Sequence, residues 1–257
     1  MTNEGMKMKI GILDSGVGGL TVLKECLKQL PNHEYLYFAD SKNAPYGTKP
    51  KEEVHDLTEN AVRFLLAEGA EILVIACNTA TSVAIERLRE AYDVPIIGME
   101  PAVKPALKKA SGKRVLVTAT ELTLKEEKFQ TLINALDAGK VIDLCPLSEL
   151  VTFAEEGEFS EAVVIPYLEE RFHQFNLSLY GGIVLGCTHF PLFKSAFETI
   201  LPEGVTMIDG SQGTVNRISQ FITSESDGPD FRLFRSGEPL EEGPLFDLVR
   251  LILELEE

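Results

Sequence analysis

Two cysteines carry the chemistry this sequence could perform, and their surroundings match. Cys77 lies in E-I-L-V-I-A-C-N-T-A (Glu71–Ala80) and Cys187 in G-G-I-V-L-G-C-T-H-F-P-L (Gly181–Leu192). In each, a short apolar run (Ile72–Ile75, Ile183–Leu185) reads as a buried parallel strand. A small residue follows, then the thiol, then polar residues. Asn78 and Thr79 read as caps opening a helix, and Pro191 suits the first turn of another. A cysteine at the carboxyl end of such a strand faces the crevice where open α/β sheets bind ligands. A helix amino-terminus behind it favours thiolate over thiol. A lone cysteine in an apolar run is more often structural. Two in matching contexts, 187 − 77 = 110 positions apart, point to two related halves that each present one thiol. Facing thiols suit the removal of a proton from one face of a carbon and its return on the other through a planar carbanion. One must then be thiolate while the other is thiol, and the ordinary cysteine pKa of about 8.5 is within reach of that task. Asp14, at a neighbouring strand end, and His189, two residues past Cys187, are the groups placed to take a proton from each thiol; a plain capping role is the other reading of His189.

The elements that must position these groups alternate strand and helix. K-I-G-I-L-D (Lys9–Asp14) reads as a strand ending in an acid. Ser15-Gly16-Val17-Gly18-Gly19 follows, then Leu20, Leu23, Leu27 and Leu30 at helical spacing. G-x-G-x-x-G fails because position 21 is Thr21, and there is no G-K-[ST], so the loop is not a nucleotide motif. It is a run of bare amides fit for a small polar ligand. His33–Asp40 is a second strand ending in an acid, and Ser41–Gly47 (S-K-N-A-P-Y-G) a loop that places the Tyr46 hydroxyl at a surface edge. Val54–Leu65 marks an amphipathic helix stopped by Gly69, with His55 on its surface, and Val94–Gly98 a short strand. The second half repeats the plan. Lys113–Thr118 mirrors the opening strand, Ala119–Thr123 puts hydroxyls where the first half has glycines, and Phe129–Leu136 is helical. Lys140–Leu144 reads as a strand. Helices then span Leu147–Gly157 and Ala162–Phe175, before the Cys187 strand. The tail reads as a strand (Val205–Ile208), a helix (Val215–Ile222), a polar loop (Ser224–Asp230), a weak strand (Phe231–Phe234) and an apolar helix (Leu245–Leu255). It repeats neither half and is expected to pack on the first. Alternation throughout predicts parallel sheets with helices on both faces.

Composition bounds the function. The 257 residues can bury one large core or two smaller ones, with 44% hydrophobic and 25% charged residues and no tryptophan. A net charge of −16 argues against direct contact with nucleic acid or an anionic membrane. No apolar run is long enough to span a membrane. The start, M-T-N-E-G-M-K-M-K, has no signal-peptide core, so a cytoplasmic location is expected. Four cysteines without regular close spacing argue against a disulfide framework and against a metal site. Cys26 and Cys145 have no second polar motif beside them.

D-S-G-V-G-G-L-T-V (Asp14–Val22), A-D-S-K-N-A-P-Y-G (Ala39–Gly47), A-C-N-T-A (Ala76–Ala80) and L-G-C-T-H-F-P-L (Leu185–Leu192) resemble the glutamate racemases of the aspartate/glutamate racemase superfamily. The resemblance runs from about Lys9 to Ser211, with a weaker echo in F-R-S-G-E-P (Phe234–Pro239). It implies two pseudo-symmetric, doubly wound α/β domains with mainly parallel sheets and the active site in the cleft between them. Residues 1–98 plus 208–257 would form the first domain and 99–207 the second. It implies interconversion of L- and D-glutamate without a cofactor, supplying D-glutamate for peptidoglycan. Cys77 would act on D-glutamate with the help of Asp14, and Cys187 on L-glutamate with the help of His189. Asp14, Ser15, Asn78, Thr79, Thr120, Thr123 and Thr188 would hold the substrate, and Pro45, Tyr46 and Gly47 would close over it. Asp40, Ser41 and Glu155 are further candidates, Glu155 being the best match to a glutamate that follows the C-P dipeptide at shorter spacing in the family. The expected assembly is a homodimer. The chain departs from the family near Glu126, at Phe129 and at Phe190. Its short amino-terminal extension argues against the activator control found in members with long leaders. Aspartate or another amino acid as substrate, a non-catalytic regulatory role of the kind reported for relatives acting on DNA gyrase, and a one-cysteine hydrolase or decarboxylase are the alternatives. The last leaves one thiol unexplained.

Overall fold

Lys9–Asp14 forms β1 and pairs on both sides, in parallel, with β2 (Glu34–Ala39) and β3 (Ile72–Ile75). In this computed structural model, residues 8–136, 140–222 and 230–254 are described. Each of the three strands is buried over almost its whole length, which explains continuous apolar runs rather than alternation. Helix α1 (Leu20–Gln29) buries Leu20, Val22, Leu23 and Cys26, at about 2 kcal/mol for each large apolar side chain. Helix α2 spans Lys51–Ala67 and ends as expected at Gly69, whose φ of +93° suits a residue without Cβ. Helix α3 (Asn78–Ala91) leads to β4 (Ile96–Gly98), which begins two residues later than the apolar run suggests.

The second half runs α4 (Val103–Lys109), β5 (Arg114–Ala119), α5 (Glu121–Lys125), α6 (Glu127–Leu136), β6 (Ile142–Pro146), α7 (Glu149–Glu155), α8 (Glu161–Phe172), β7 (Tyr180–Leu185), α9 (Lys194–Ile200) and β8 (Thr206–Ile208). Strand β6 lies two residues beyond its expected place because Lys140 takes a turn conformation, φ +50°. Helix α10 is Ser211–Ile218, earlier than its apolar spacing indicates, because Asp209 accepts from the Ser211 amide at 2.7 Å and starts the turn there. The expected loop at 224–229 and Leu255 lie outside the described residues, as do Met1–Lys7.

The two halves share one strand order. The first sheet reads β10-β9-β2-β1-β3-β4 and the second β6-β5-β7-β8. Within each half the chain therefore runs second, first, third, fourth, all parallel. The tail adds β9 (Asp230–Arg235) in parallel to β2, then β10 (Glu238–Pro239) antiparallel, so it extends the first sheet. Helix α11 (Pro244–Glu254) follows. Strand β8, whose last residue is Ile208, pairs with β7 and belongs to the second sheet. The largest apolar core joins both halves, from Ile10 and Leu23 to Leu150, Phe193 and Val249.

Two expectations fail on burial. His55 is not on the surface: α2 buries Val54, His55, Thr58, Ala61, Val62 and Leu65, a stripe wider than its apolar positions. Tyr46 is not at an exposed edge: its ring is packed away and its hydroxyl donates to Asp40 Oδ2 at 2.6 Å.

Candidate active site

In both halves the thiol follows the third strand, which pairs with the first. In a doubly wound sheet this is the point where the strand order reverses and a crevice opens. Cys77 follows β3 and adjoins Ser15, with Sγ and Oγ 3.7 Å apart. Asn78 and Thr79 are not the caps of α3: Cys77 itself is, accepting from the Ala80 amide at 3.4 Å. That leaves Asn78 free to turn inward, where Nδ2 donates to the Met99 carbonyl at 3.0 Å and Oδ1 is a buried acceptor without a partner among the described residues. The expectation of a lowered Cys77 pKa is reversed. Burial pushes the thiol up to about 12 and the Asp14 carboxylate adds to it; the Ala80 amide and Ser15 only offset part. Cys187 also contributes to the rise.

Cys187 follows β7 but is backed by one turn of 3-10 helix, Phe190–Phe193, not an α-helix. Its partner is an imidazole, with Sγ 3.6 Å from His189 Nδ1. Burial alone would push His189 down, yet its bonds to Cys187 and Glu155 raise it well above 6.5. With both ring nitrogens protonated, Nε2 donates to Glu155 Oε1 at 2.7 Å and Nδ1 is shared between Cys187 Sγ and Thr188 Oγ1, the latter at 3.3 Å. Glu155, the last residue of α7, also accepts from the Val17 amide across the cleft at 2.7 Å. A raised imidazolium stabilises the fold fully below its unfolded pKa of about 6.5, and that contribution is lost as pH rises through the folded value. Glu155→Gln removes part of the rise. The melting-temperature advantage of wild type over Glu155→Gln is therefore expected to be larger at pH 6 than at pH 9, as read by thermal unfolding at both.

The remaining predicted residues meet across the cleft. Asp14 is buried; desolvation raises its pKa, against the pull of His189 and the Gly16 amide. It accepts from Gly16 N and from the Thr188 hydroxyl, both at 3.1 Å. Thr79, Thr120 and Thr123 form a closed triangle of hydroxyls with edges of 2.9, 3.2 and 3.0 Å. Gly47 lies on this cluster, since a Cβ there would stand 2.9 Å from Thr120 Cβ. Ala44–Pro45 is cis and leads into the Tyr46–Thr48 turn. Ser41 makes no hydrogen bond to the other predicted residues: its hydroxyl is buried without a partner among the described residues.

The glycine loop has a different purpose from the turn its composition suggests. A Cβ on Gly16 would stand 1.8 Å from Glu155 Oε1, one on Gly18 2.4 Å from His189 Nδ1, and one on Gly19 2.6 Å from Asp14 Cβ. The backbone of the first half thus approaches the second half's site residues directly. Among the described residues, no group of three or more His, Cys, Asp or Glu is placed to hold a metal ion.

Sequence reasoning missed Ser236. It donates to Asp40 Oδ1 at 2.6 Å, while Tyr46 and Asn43 occupy the same carboxylate. The carboxy-terminal hairpin therefore anchors the Pro45–Gly47 segment through Asp40. The only signal was the F-R-S-G-E-P echo. Ser236→Ala is expected to raise KM about fivefold with little change in kcat, the equivalent of about 1 kcal/mol for one hydrogen bond; steady-state kinetics check it. Glu126, where the chain departs from the resembled pattern, pairs with Lys51 of the first half at 2.9 Å.

Comparison with known proteins places these features in company. The profile of the family described as Asp/Glu/Hydantoin racemase matches residues 10–218. The chain is 52% identical over 215 residues to the glutamate racemase of Halothermothrix orenii, covering 84% of this chain and 85% of that one. It is 46% identical over 254 residues to glutamate racemase 2 of Bacillus subtilis, covering 96% of each. Its fold is similar to that of Escherichia coli glutamate racemase, solved with L-glutamate and the activator UDP-MurNAc-ala, with a TM-score of 0.83, 29% identity and coverage of 96% and 94%.

Proposed function

Because the chain belongs to the Asp/Glu/hydantoin racemase family, we propose that this amino-acid racemase interconverts L- and D-glutamate without a cofactor, Cys77 and Cys187 serving opposite faces of the α-carbon. The observation that carries the reading is the repeated placement of one thiol after the third strand of each half, with the two sides joined by the Thr188 hydroxyl donating to Asp14 at 3.1 Å. Relatives that share about half of the residues act on glutamate. In this mechanism the thiolate of one cysteine takes the α-proton, and the thiol of the other protonates the opposite face. The imidazolium of His189 pairs with a Cys187 thiolate, which stabilises it without water. Asp14, its pKa raised by burial, is suited to hold a proton beside Cys77. The hydroxyls of Thr79, Thr120, Thr123 and Thr188, with Ser15, supply donors for carboxylates, and Asn78 Oδ1 is an acceptor for the ammonium.

The product D-glutamate would serve cell-wall peptidoglycan. Four free, buried cysteines suit a reducing cytoplasm, and no described helix is long and apolar enough to cross a membrane. A homodimer is the assembly the resemblance implies, and light scattering reads it directly. The function is tested by following L-glutamate in deuterated water with no cofactor added. Deuterium appearing mainly in the D product, with residual L-glutamate largely unlabelled early on, is the expected result. Turnover of L-aspartate but not L-glutamate would overturn the substrate, and no turnover of either would overturn the reading.

A further inference from the structure

A two-thiol racemase has a problem that its chemistry does not solve. Each turnover from L to D leaves Cys187 as thiol and Cys77 as thiolate, the reverse of the state needed to turn over L again. One proton must return from the Cys187 side to the Cys77 side before the next molecule of the same enantiomer can react. The groups concerned are shut away: Asp14, Thr188 and His189 are each only 1% exposed.

We propose that the Thr188 hydroxyl is the relay that returns this proton inside the protein, along the path Cys187 Sγ, His189 Nδ1, Thr188 Oγ1, Asp14 Oδ1. This inference rests on the two-base reading above. The successive separations are 3.6, 3.3 and 3.1 Å. The directions are consistent along the chain: His189 Nδ1–H donates to Thr188 Oγ1, whose own O–H donates to Asp14. A hydroxyl accepts and donates through the same atom, as a relay requires. In the return step, His189 Nδ1–H passes to Thr188 Oγ1 as the Thr188 O–H proton passes to Asp14, and the emptied Nδ1 then takes the Cys187 S–H proton. Asp14 then protonates the Cys77 thiolate, which follows the neighbouring strand in register with it: Leu13 pairs with Ile75, and the Ala76 amide donates to the Leu13 carbonyl at 2.9 Å. One proton moves, no other bond changes and the site keeps its net charge.

The relay is also held in place from both sides. The Thr188 carbonyl accepts from Thr21 Oγ1 at 3.3 Å, and Asp14 Oδ2 is fixed by the Gly16 amide. The loop after the first strand of the second half, with Thr120 and Thr123, has hydroxyls too, but they bond to Thr79 and to one another and reach neither thiol partner in a hydrogen bond. Among the described residues, Thr188 is the one whose side chain bonds to both Asp14 and His189.

The test is tracer perturbation. Enzyme is equilibrated with radiolabelled D- and L-glutamate, and a large excess of unlabelled L-glutamate is then added. If proton return is slow, the enzyme regains its starting state by consuming labelled D-glutamate, and label moves transiently into L against the net flow. Thr188→Val should slow the return by about 10²-fold, the low end for loss of a positioned proton-transfer group, so this counter-flow should appear at about 10²-fold lower substrate than in wild type. Thr188→Ser should restore wild-type behaviour. A rise in KM alone, with no earlier counter-flow, would mean that Thr188 only holds substrate and would overturn the proposal. A second measurement needs no variant. In a mixture of L-[2-²H]glutamate and uniformly ¹³C-labelled L-glutamate in ordinary water, wild type should pass some deuterium to ¹³C-labelled D-glutamate. No such crossover would overturn the internal route while leaving racemisation intact, whereas no racemisation at all would remove the reading beneath it.

Discussion

Cys77→Ser and Cys187→Ser each reduce racemisation by about 10³-fold, within the range for loss of a positioned acid–base group, and neither unfolds the protein. The loss follows from acidity. A serine hydroxyl ionises far above a thiol, so even a Cys77 site pushed up to about 12 forms its anion far more readily as sulfur than as oxygen. The fold survives because the replacement keeps the local bonds. Cys77 Sγ caps α3 by accepting from Ala80 N, and serine is among the preferred residues for that role. At Cys187 a hydroxyl can still face His189 Nδ1. Melting temperatures should stay near wild type while activity collapses. The opposite pattern is expected of the other two cysteines. Cys26 is packed in the main core and pushed well above its usual pKa by burial, and Cys145 is pushed up to about 11. Cys26→Ser and Cys145→Ser should lower the melting temperature and leave most activity in the folded fraction. Full activity in either of the first pair would remove the two-base mechanism.

Gly18→Ala also lowers activity strongly, for a steric reason. The added methyl would sit 2.4 Å from His189 Nδ1 and 2.5 Å from Thr188 Oγ1, about 1 Å inside normal contact. The imidazole cannot yield freely, since Nε2 is tied to Glu155. The loop cannot yield freely either, because Tyr37 donates to the Gly16 carbonyl at 2.7 Å and Gly16 N is tied to Asp14. A displacement of this size near reacting groups costs about 10²-fold in rate, and overpacking costs about 1–3 kcal/mol in stability. Gly213→Ala in α10 is the control. A Cβ there meets nothing within 4 Å, and alanine in a helix interior should stabilise by about 0.5–1 kcal/mol. Kinetics and thermal unfolding of the two variants side by side separate crowding at the site from a general intolerance of side chains.

What could be read from the chain depended on how local the cause was. Strands β1, β3 and β7 are buried parallel strands, so unbroken apolar runs announced them, and with them the two thiols. Glycine stops and the apolar spacing of α1, α2 and α6 were equally local. Errors arose where a tertiary neighbour decided. His55 is polar but lies on the buried face of α2 beside Val54. Tyr46 is drawn inward by Asp40. Cys77 took the capping role that composition assigns to Asn78 or Thr79. Ser236 could not be inferred from spacing, because 196 positions separate it from Asp40. The reason for Gly16 and Gly18 was also out of reach, since Glu155 and His189 arrive from the other half.

The unequal dressing of the two thiols has a thermodynamic consequence. Cys77 is met by an amide, a serine and a buried carboxyl, Cys187 by a charged imidazole. Two enantiomers have identical free energies in water, so the equilibrium constant between them is one and no protein can change it. The Haldane relation then requires kcat/KM for L to equal kcat/KM for D. The asymmetry of the partners can make the two directions differ in kcat and in KM, but only in compensating proportion. A substitution at Glu155, on one side only, must leave that ratio of efficiencies at unity however far it lowers both. Any measured inequality would point to an inconsistency in the kinetics and not to a preference of the enzyme.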